Sequence, residues 1–247
     1  MSGAAARAVR GVGWLLIAAG VLVGLYLVYE LLFTNVATSR AQDALADEWS
    51  QSVGESDRSV GESDRSVGES DRSVGERDRS VETEGSRGAD ERTEDSRRQA
   101  EPVDLGAAVA ALQFVRPGSQ RPPVHEGPLF IVEGVGFAEL QRGPGHYPST
   151  APPGGDGNFA VAGHRTTFGA PFFNLDDLRA GDEVHVTDRR GRRHTYEIRE
   201  QRVVGPGDSW VLGPDPLGSG VSTLTLTTCE PRFSDAQRLV VFAEMIT

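Results

Sequence analysis

The sequence has no lysine and only one cysteine, Cys229. All 25 basic residues are therefore arginine, and 36 acidic residues leave a net charge of -11 at pH 7. This balance argues against nucleic-acid binding, because phosphate backbones favour basic surfaces. A single cysteine excludes an intramolecular disulfide and a metal site built from paired cysteines. No histidine spacing suggests a metal site either, so neither a metal nor a cofactor is expected.

Long apolar runs are also scarce, and the exception is Gly11–Phe33, whose only charged residue is Glu30. At 1.5 Å of rise per residue the run is long enough to cross a bilayer core. It exceeds the ~7–15 apolar residues of a cleaved signal peptide. Residues 11–33 are therefore expected to form a transmembrane anchor. The alternatives are a buried helix of a soluble core and a signal peptide cleaved near Ala37.

The charges before this run predict its orientation. Arg7 and Arg10 precede the run with no acidic residue before them. This bias predicts that residues 1–10 stay in the cytoplasm and that the rest of the chain lies outside. We expect a single-pass protein of the plasma membrane with an extracytoplasmic domain.

Residues 34–102 form a polar tract with an internal repeat. Thr38–Ser50 favours a helix that extends the anchor outwards. SVGESDR then starts at Ser52, Ser59 and Ser66, and SVGERDR starts at Ser73. Each unit has a single valine, too few for a coiled coil, and a glycine that weakens a helix. The repeats are therefore predicted to be a solvated, disordered spacer that holds the domain away from the membrane. A coiled-coil or partner-binding role is the minor alternative.

Residues 103–247 have enough apolar residues for one folded domain. Short apolar runs alternate with glycine and proline turns, which predicts many strands and few helices, and hence a mainly β, closed or nearly closed barrel. The predicted strands are Leu129–Val132, Asn158–Ala162, Glu183–Thr187, His194–Val204, Ser222–Thr228 and Arg238–Ile246. Helical turns are predicted at Phe137–Arg142 and Phe172–Leu178.

The last two predicted strands bring Cys229 and Arg238 together. Ser222–Thr228 ends directly at Cys229, and the next strand starts at Arg238 after a turn. If the strands pair in antiparallel fashion, the two residues meet at one rim. A guanidinium favours the nucleophilic thiolate and can hold an oxyanion on an attacked carbonyl. The alternative is that the lone thiol is a small buried hydrophobe.

The third candidate is His164, which follows a strand-like run and lies in a glycine-containing turn. Histidine is the usual acid/base partner of a nucleophilic cysteine. His185 and His194 are expected on strand surfaces, and His146 could line a groove. For any one histidine the alternative is a structural ring.

Together these motifs resemble the sortases. The resemblance rests on TLTTC ending at Cys229, GHRTTFGAPF around His164 and the strand that begins QR at Arg238. GPGHYPST at Gly143–Thr150 and YELLFTNVATSRAQ after the apolar run are most similar to class E sortases of actinobacteria. The resemblance covers about Val132 to the C-terminus and the membrane junction, but not the repeats.

The resemblance implies an eight-stranded sortase-type barrel and a membrane-anchored cysteine transpeptidase. Its partners would be secreted proteins with a C-terminal LAxTG- or LPxTG-like sorting signal and a peptidoglycan precursor amine. Cys229 would be the nucleophile, His164 the acid/base and Arg238 the charge stabiliser. Thr228 would support the tetrahedral intermediate or substrate, and Tyr147 would contact the second residue of the signal. Glu230 is unfavourable for this role of Cys229, because a carboxylate beside the thiol opposes formation of the thiolate.

Two other readings remain. One is a catalytically weak, membrane-tethered barrel that serves as a binding or scaffold module. The other is a papain-like cysteine hydrolase, which is disfavoured because those folds place the cysteine before the histidine.

Overall fold

The computed structural model describes residues 3–70 and 103–247. A long helix, α1 (Gly3–Ser70), precedes a β-rich domain with a short helix, α2 (Phe137–Leu140). Single 3-10 turns lie at Leu175–Asp177 and Ser209–Leu212. The strands of the described residues are β1 (Ala108–Val115), β2 (Leu129–Glu133), β3 (Gly145–His146), β4 (Asn158–Ala162), β5 (Glu183–Asp188), β6 (Arg193–Val204), β7 (Thr223–Glu230) and β8 (Gln237–Met245).

The strands close into a barrel in the order β1-β2-β3-β4-β7-β8-β6-β5, which confirms the predicted mainly β, closed eight-stranded fold. The pairs β2–β3 and β4–β7 are parallel, and the other pairs are antiparallel. Sequence reasoning missed β1 and β3. The run AVAALQFV in β1 is alanine-rich and lacks clear alternation, and β3 has only two residues.

Alternation along the strands fills the barrel interior. Leu224 and Leu226 of β7 and Leu239 and Val241 of β8 belong to the main buried cluster. Successive side chains of a strand point to opposite faces, so residues one position away lie on the outer face. Phe172 closes the core from the loop after β4 and has no exposed surface.

We use two names for the ends of the barrel. The upper rim is the end where β4 and β7 finish and β8 begins, and the lower rim is the end where β4 and β7 begin and β8 finishes. The loop of residues 163–174 leaves β4 at the upper rim. The start of β1 and the turn between β5 and β6 both lie at the lower rim. The candidate active-site residues all lie at the upper rim.

The helix α1 extends further than the sequence predicts. It continues to Ser70 and therefore includes the first two SVGESDR units, which were predicted to be disordered. Adding a residue to an existing helix costs little compared with starting one, so one glycine per seven residues does not end α1. The rest of the repeat tract, from residue 71 to 102, lies outside the described residues.

The repeats also do not separate the apolar run from the barrel, which corrects the predicted role of a spacer. Leu45 of α1 is fully buried against Ala108 and Val132 of the barrel. The barrel therefore packs on α1 before the first repeat begins at Ser52. Among the side chains that the structure describes, which do not include those of residues 27, 28 and 30–34, no helix is long and apolar enough to cross a membrane.

Candidate active site

Cys229 and Arg238 face each other across the β7–β8 ladder. They are direct register partners, which confirms the predicted pairing of these strands. Residues directly opposite in an antiparallel pair project to the same face of the sheet. Cys229 is partly exposed and forms no disulfide, so its thiol is open to solvent at the upper rim. Their catalytic roles stay predictions.

His164 lies beside Cys229 because β4 runs parallel to β7. The register pairs Ala162 with Thr227, and the Gly163 amide donates to the Thr227 carbonyl oxygen over 3.0 Å. Continued by two residues, this register puts His164 level with Cys229. Cys229 and Arg238 thus lie on the adjacent strands β7 and β8, and His164 lies two residues beyond the end of the neighbouring strand β4.

An apolar cover surrounds the imidazole of His164. The Phe168 ring lies 4.9 Å from it between centroids, and Phe137 packs edge-on against Phe168 at 5.9 Å. Burial disfavours the charged ring and lowers the pKa of His164 below its usual 6.5. The neutral imidazole therefore dominates at neutral pH.

The two ring nitrogens of His164 have different environments. Nδ1 lies 3.3 Å from Oγ1 of Thr167. Nε2 is buried and has no hydrogen-bond partner within the described part of the chain. Nδ1 is thus oriented by a contact within the loop, whereas Nε2 is unpaired among the described residues.

Arg238 is held from one side only. Its Nη1 donates to the carbonyl oxygens of Asp235 and Gln237 over 2.8 and 2.9 Å. Arg238 forms no ion pair with any residue of the described ranges. A guanidinium carries five N–H donors, so Nε and Nη2 remain available for a substrate oxygen.

The outer face of β4, β7 and β8 forms the floor beside these residues. Ala162, Thr227 and Val240 are small or β-branched residues in register with one another. The loop before β7 covers Val240 with Val211 and neighbouring side chains. All three floor residues are buried, with 9%, 5% and 0% of their surface exposed, respectively.

Tyr147 lies over this floor. Its hydroxyl is 3.2 Å from Oγ1 of Thr227, and its amide donates to the Ala160 carbonyl oxygen. Sequence reasoning missed Thr227, although it could have been found by alternation, because it lies two residues before Cys229 and on the same face.

Thr228 is placed differently from the prediction of a substrate contact. It is 3% exposed and lies on the face opposite that of Cys229. Its hydroxyl donates to the Gly163 carbonyl oxygen over 2.7 Å. The observed contact ties the residue before His164 to the residue before Cys229, which is a positioning role.

Arg165 is the second residue that the sequence did not indicate. Its side chain is only 2% exposed, and its Nη1 donates to Oε2 of Glu230 over 2.7 Å and to the Cys229 carbonyl oxygen over 3.2 Å. The carboxylate of Glu230 is thereby directed to a buried cation. The predicted conflict between Glu230 and the thiol is relieved by this pair.

A second arginine extends the contact between the two loops. Arg232 bonds Asp176 through Nη2 over 2.7 Å and stacks on the Phe173 ring at 4.7 Å. Arg165 reaches the same Asp176 at 3.0 Å and donates to the Phe173 carbonyl oxygen. The loop after β4 and the loop after β7 are therefore joined by the side chains of two arginines.

The remaining histidines of the barrel do not join the site. His146 is 5% exposed and its Nδ1 lies 2.7 Å from Oε2 of Glu133, so it does not line a groove. His185 and His194 lie on β5 and β6 beside Glu183 and Asp188. Within residues 3–70 and 103–247, no group of three or more His, Cys, Asp or Glu is arranged to hold a metal.

Comparisons with known proteins identify the family of the chain. A model of the sortase domain matches residues 123–246. Sortase SrtE2 of Streptomyces coelicolor is 29% identical over 261 residues, which cover 98% of this chain and 83% of the relative. Sortase SrtE1 of the same organism is 26% identical, over 99% of this chain and 59% of the relative. The solved structure of sortase E from Streptomyces avermitilis is 38% identical with a TM-score of 0.50, and covers 59% of this chain and 91% of that one.

Proposed function

Because this chain belongs to the sortase family of cysteine transpeptidases, which attach proteins to the cell wall, we propose specific roles for the upper-rim residues. Cys229 is the nucleophile, His164 the acid/base and Arg238 the oxyanion stabiliser. The main support for these roles is that Cys229 is partly exposed and lies opposite Arg238 in the β7–β8 ladder. The register of β4 with β7 places His164 next to this pair.

The first half-reaction cleaves a peptide bond. The neutral His164 ring takes the thiol proton of Cys229, and the sulfur attacks the carbonyl carbon of the signal's threonine. Arg238 donates to the oxyanion of the tetrahedral intermediate. The C–N bond then breaks, and His164 gives its proton to the departing glycine amine. The product is a thioester on Cys229, and His164 is neutral again.

The second half-reaction transfers the acyl group. An amine, proposed to be that of a peptidoglycan precursor, attacks the thioester carbon and gives a proton to His164. The C–S bond breaks and the sulfur of Cys229 recovers that proton. A new amide joins the protein to the acceptor, with no change of oxidation state and no external reactant.

The signal itself is proposed to be LAxTG- or LPxTG-like and to lie at the C-terminus of a secreted protein. Tyr147 would contact its second residue from above the floor. The hydroxyl of Tyr147 is bound to Thr227, so the ring is fixed in position. Thr228 would act through Gly163, not on the substrate.

We also propose that residues 11–33 anchor the chain in the plasma membrane, with the N-terminus in the cytoplasm and the barrel outside. This proposal is supported by the apolar run Gly11–Phe33 and by the two arginines that precede it.

The test uses the full chain in detergent, since α1 packs on the barrel. LAxTG and LPxTG peptides are incubated with and without an amine acceptor, and products are identified by mass spectrometry. We expect cleavage after threonine, a new amide with acceptor, and loss of both in Cys229→Ala. A well-folded protein that cuts neither peptide and whose Cys229 resists thiol reagents would favour the scaffold reading.

A further inference from the structure

Near its midpoint, helix α1 touches the loop that carries His164. Oδ1 of Asn35 accepts a hydrogen bond from the Gly169 amide over 3.0 Å. One turn later, Oγ1 of Thr38 donates to the Gln141 carbonyl oxygen over 2.8 Å. A Cβ at Gly169 would lie 3.1 Å from Thr38, which shows how closely the loop approaches the helix. This part of α1 therefore lies at the upper rim.

The middle of α1 is fastened to backbone groups of the barrel. Gln42 donates through Nε2 to the carbonyl oxygens of Phe130 and Arg142 and accepts from the Phe130 amide over 2.9 Å. A side-chain amide that satisfies three backbone groups fixes both the position and the rotation of the helix. The contact lies at mid-height of the barrel, on β2.

Further along, α1 reaches the lower rim. Leu45 is fully buried against Ala108, the first residue of β1, and Val132, near the end of β2. A Cβ at Gly191, in the lower-rim turn between β5 and β6, would lie 3.5 Å from Cγ1 of Val53.

These contacts give α1 a direction along the barrel. The eighteen steps from Asn35 to Val53 span about 27 Å. The seven steps of β7 span about 23 Å along the strand, which is an upper bound on the height between its ends because barrel strands are tilted. We call residues 35–53 the docked segment: it starts at the upper rim and passes the full height of the barrel. It lies against β1 and β2, whereas Cys229 is on β7, three strands from β2 in the barrel order.

The apolar run ends at Phe33, two residues before Asn35. We propose that the upper rim, with Cys229, His164 and Arg238, faces the membrane, and that the docked segment sets this orientation. The inference rests on the proposed anchor at residues 11–33. It follows because α1 is a single helix, so the residues before Asn35 leave the barrel from the upper rim.

The orientation places the two rims at different heights above the membrane. The upper rim lies within a few helical turns of the lipid headgroups. The lower rim lies further out by the height of the barrel.

Two spin-label positions test the orientation in the full chain. In a Cys229→Ala background, Phe233→Cys places a label in the exposed loop after β7 at the upper rim, and Val221→Cys places one before β7 at the lower rim. The protein is reconstituted in phosphatidylglycerol vesicles that contain a nickel-chelating headgroup lipid. We expect nickel to relax the label at position 233 several-fold more than the label at 221. Equal or reversed relaxation overturns the inference.

A flotation assay tests the membrane anchor separately from the orientation. After an alkaline wash, an anchored chain floats with the vesicles. A chain that sediments refutes both the anchor and the orientation, and the peptide-cleavage test then decides the catalytic proposal alone. A floating chain with equal relaxation at both positions refutes the orientation alone.

A pair of variants tests the docked segment. Gln42→Leu with Leu45→Asp removes its contacts at the middle and near the lower rim, and we expect the difference between the two labels to disappear. Ser39→Ala is the matched control, since Ser39 is exposed and its hydroxyl bonds only within α1, to Asn35. A difference that persists in the double variant would overturn the orienting role of the segment.

Discussion

The guanidinium of Arg165 and the carboxylate of Glu230 meet at 2.7 Å, and each residue directly follows a proposed catalytic residue. Arg165 follows His164 and Glu230 follows Cys229, so one ion pair joins the two catalytic segments from behind. The Arg165 side chain is almost fully buried, whereas 26% of Glu230 is exposed. The pair thus links the segments that carry two groups which exchange a proton in the proposed mechanism.

Replacing Arg165 by methionine is expected to lower both stability and activity. The change leaves Glu230 beside the thiol without its cation. It also removes one donor from the Cys229 carbonyl oxygen and one from the Phe173 carbonyl oxygen, which keeps its bond from Nε of Arg232. Breaking a buried pair costs about 3 kcal/mol, and the partial exposure of Glu230 reduces this to about 2 kcal/mol. Urea unfolding measures the first effect and kcat/KM on the peptide the second.

The matched control for this prediction is Glu230→Gln, which keeps an acceptor oxygen for Arg165. It is expected to retain most of the stability. If Arg165→Met folds with unchanged stability and full activity, the ion pair does not position the site.

Replacing Arg238 by glutamine should reduce kcat with little change in KM. Removal of one donor to a developing oxyanion typically lowers kcat by about 10²–10³. Arg199→Gln serves as the control, because Arg199 is an exposed β6 residue paired with Glu244. Steady-state kinetics on the preferred peptide measure the effect. A loss expressed mainly in KM would indicate that Arg238 binds the substrate backbone instead.

Removing the aromatic cover of His164 should change its titration. Burial lowers the pKa of His164, so Phe168→Ala is expected to raise it towards 6.5, whereas Phe168→Leu keeps most of the cover and shifts it less. The neutral ring is the proposed base, so activity falls as pH drops through this pKa. The acid limb of kcat/KM should therefore move to higher pH in the alanine variant. Nuclear magnetic resonance titration of the ring and a pH–rate profile check both; identical limbs would contradict the assignment.

The hydrogen bond between Tyr147 and Thr227 is expected to support signal recognition. Tyr147→Phe and Thr227→Val each remove it, and a net loss of about 1 kcal/mol corresponds to about fivefold in kcat/KM. The double variant should lose no more than either single one, because both remove the same contact. The cycle is measured on LAxTG and LPxTG peptides. Strictly additive losses would show that the two residues act separately.

Much of this site could be predicted because strand periodicity carries it. The alternation in Ser222–Thr228 and the turn after it indicate that Cys229 meets Arg238, and the register confirms this. The placement of His164 depends on the parallel pairing of β4 with β7, which joins strands distant in sequence. Arg165 does not stand out in a linear reading, because its partner Glu230 is 65 residues away. Alternation indicates the face on which Thr227 lies, but not its contact with Tyr147, which is 80 residues away.

Helix α1 shows the opposite limit. Considered one repeat at a time, the glycine and the single valine of each unit predict a disordered tract. The helix continues because it starts upstream and is fixed to the barrel through Gln42 and Leu45. The helix propensity of a short segment takes no account of such tertiary contacts.

The position of the docked segment has a consequence for the repeats. Val53, at the start of the first repeat, is already at the lower rim, and the chain returns at Val103, five residues before β1 begins at that same rim. The tract between them starts and finishes at the end of the barrel remote from the proposed membrane. Near-identical units of seven residues are prone to gain or loss by recombination. Such length variation would leave the height of Cys229 above the bilayer unchanged, so the tract is free to evolve independently of catalysis.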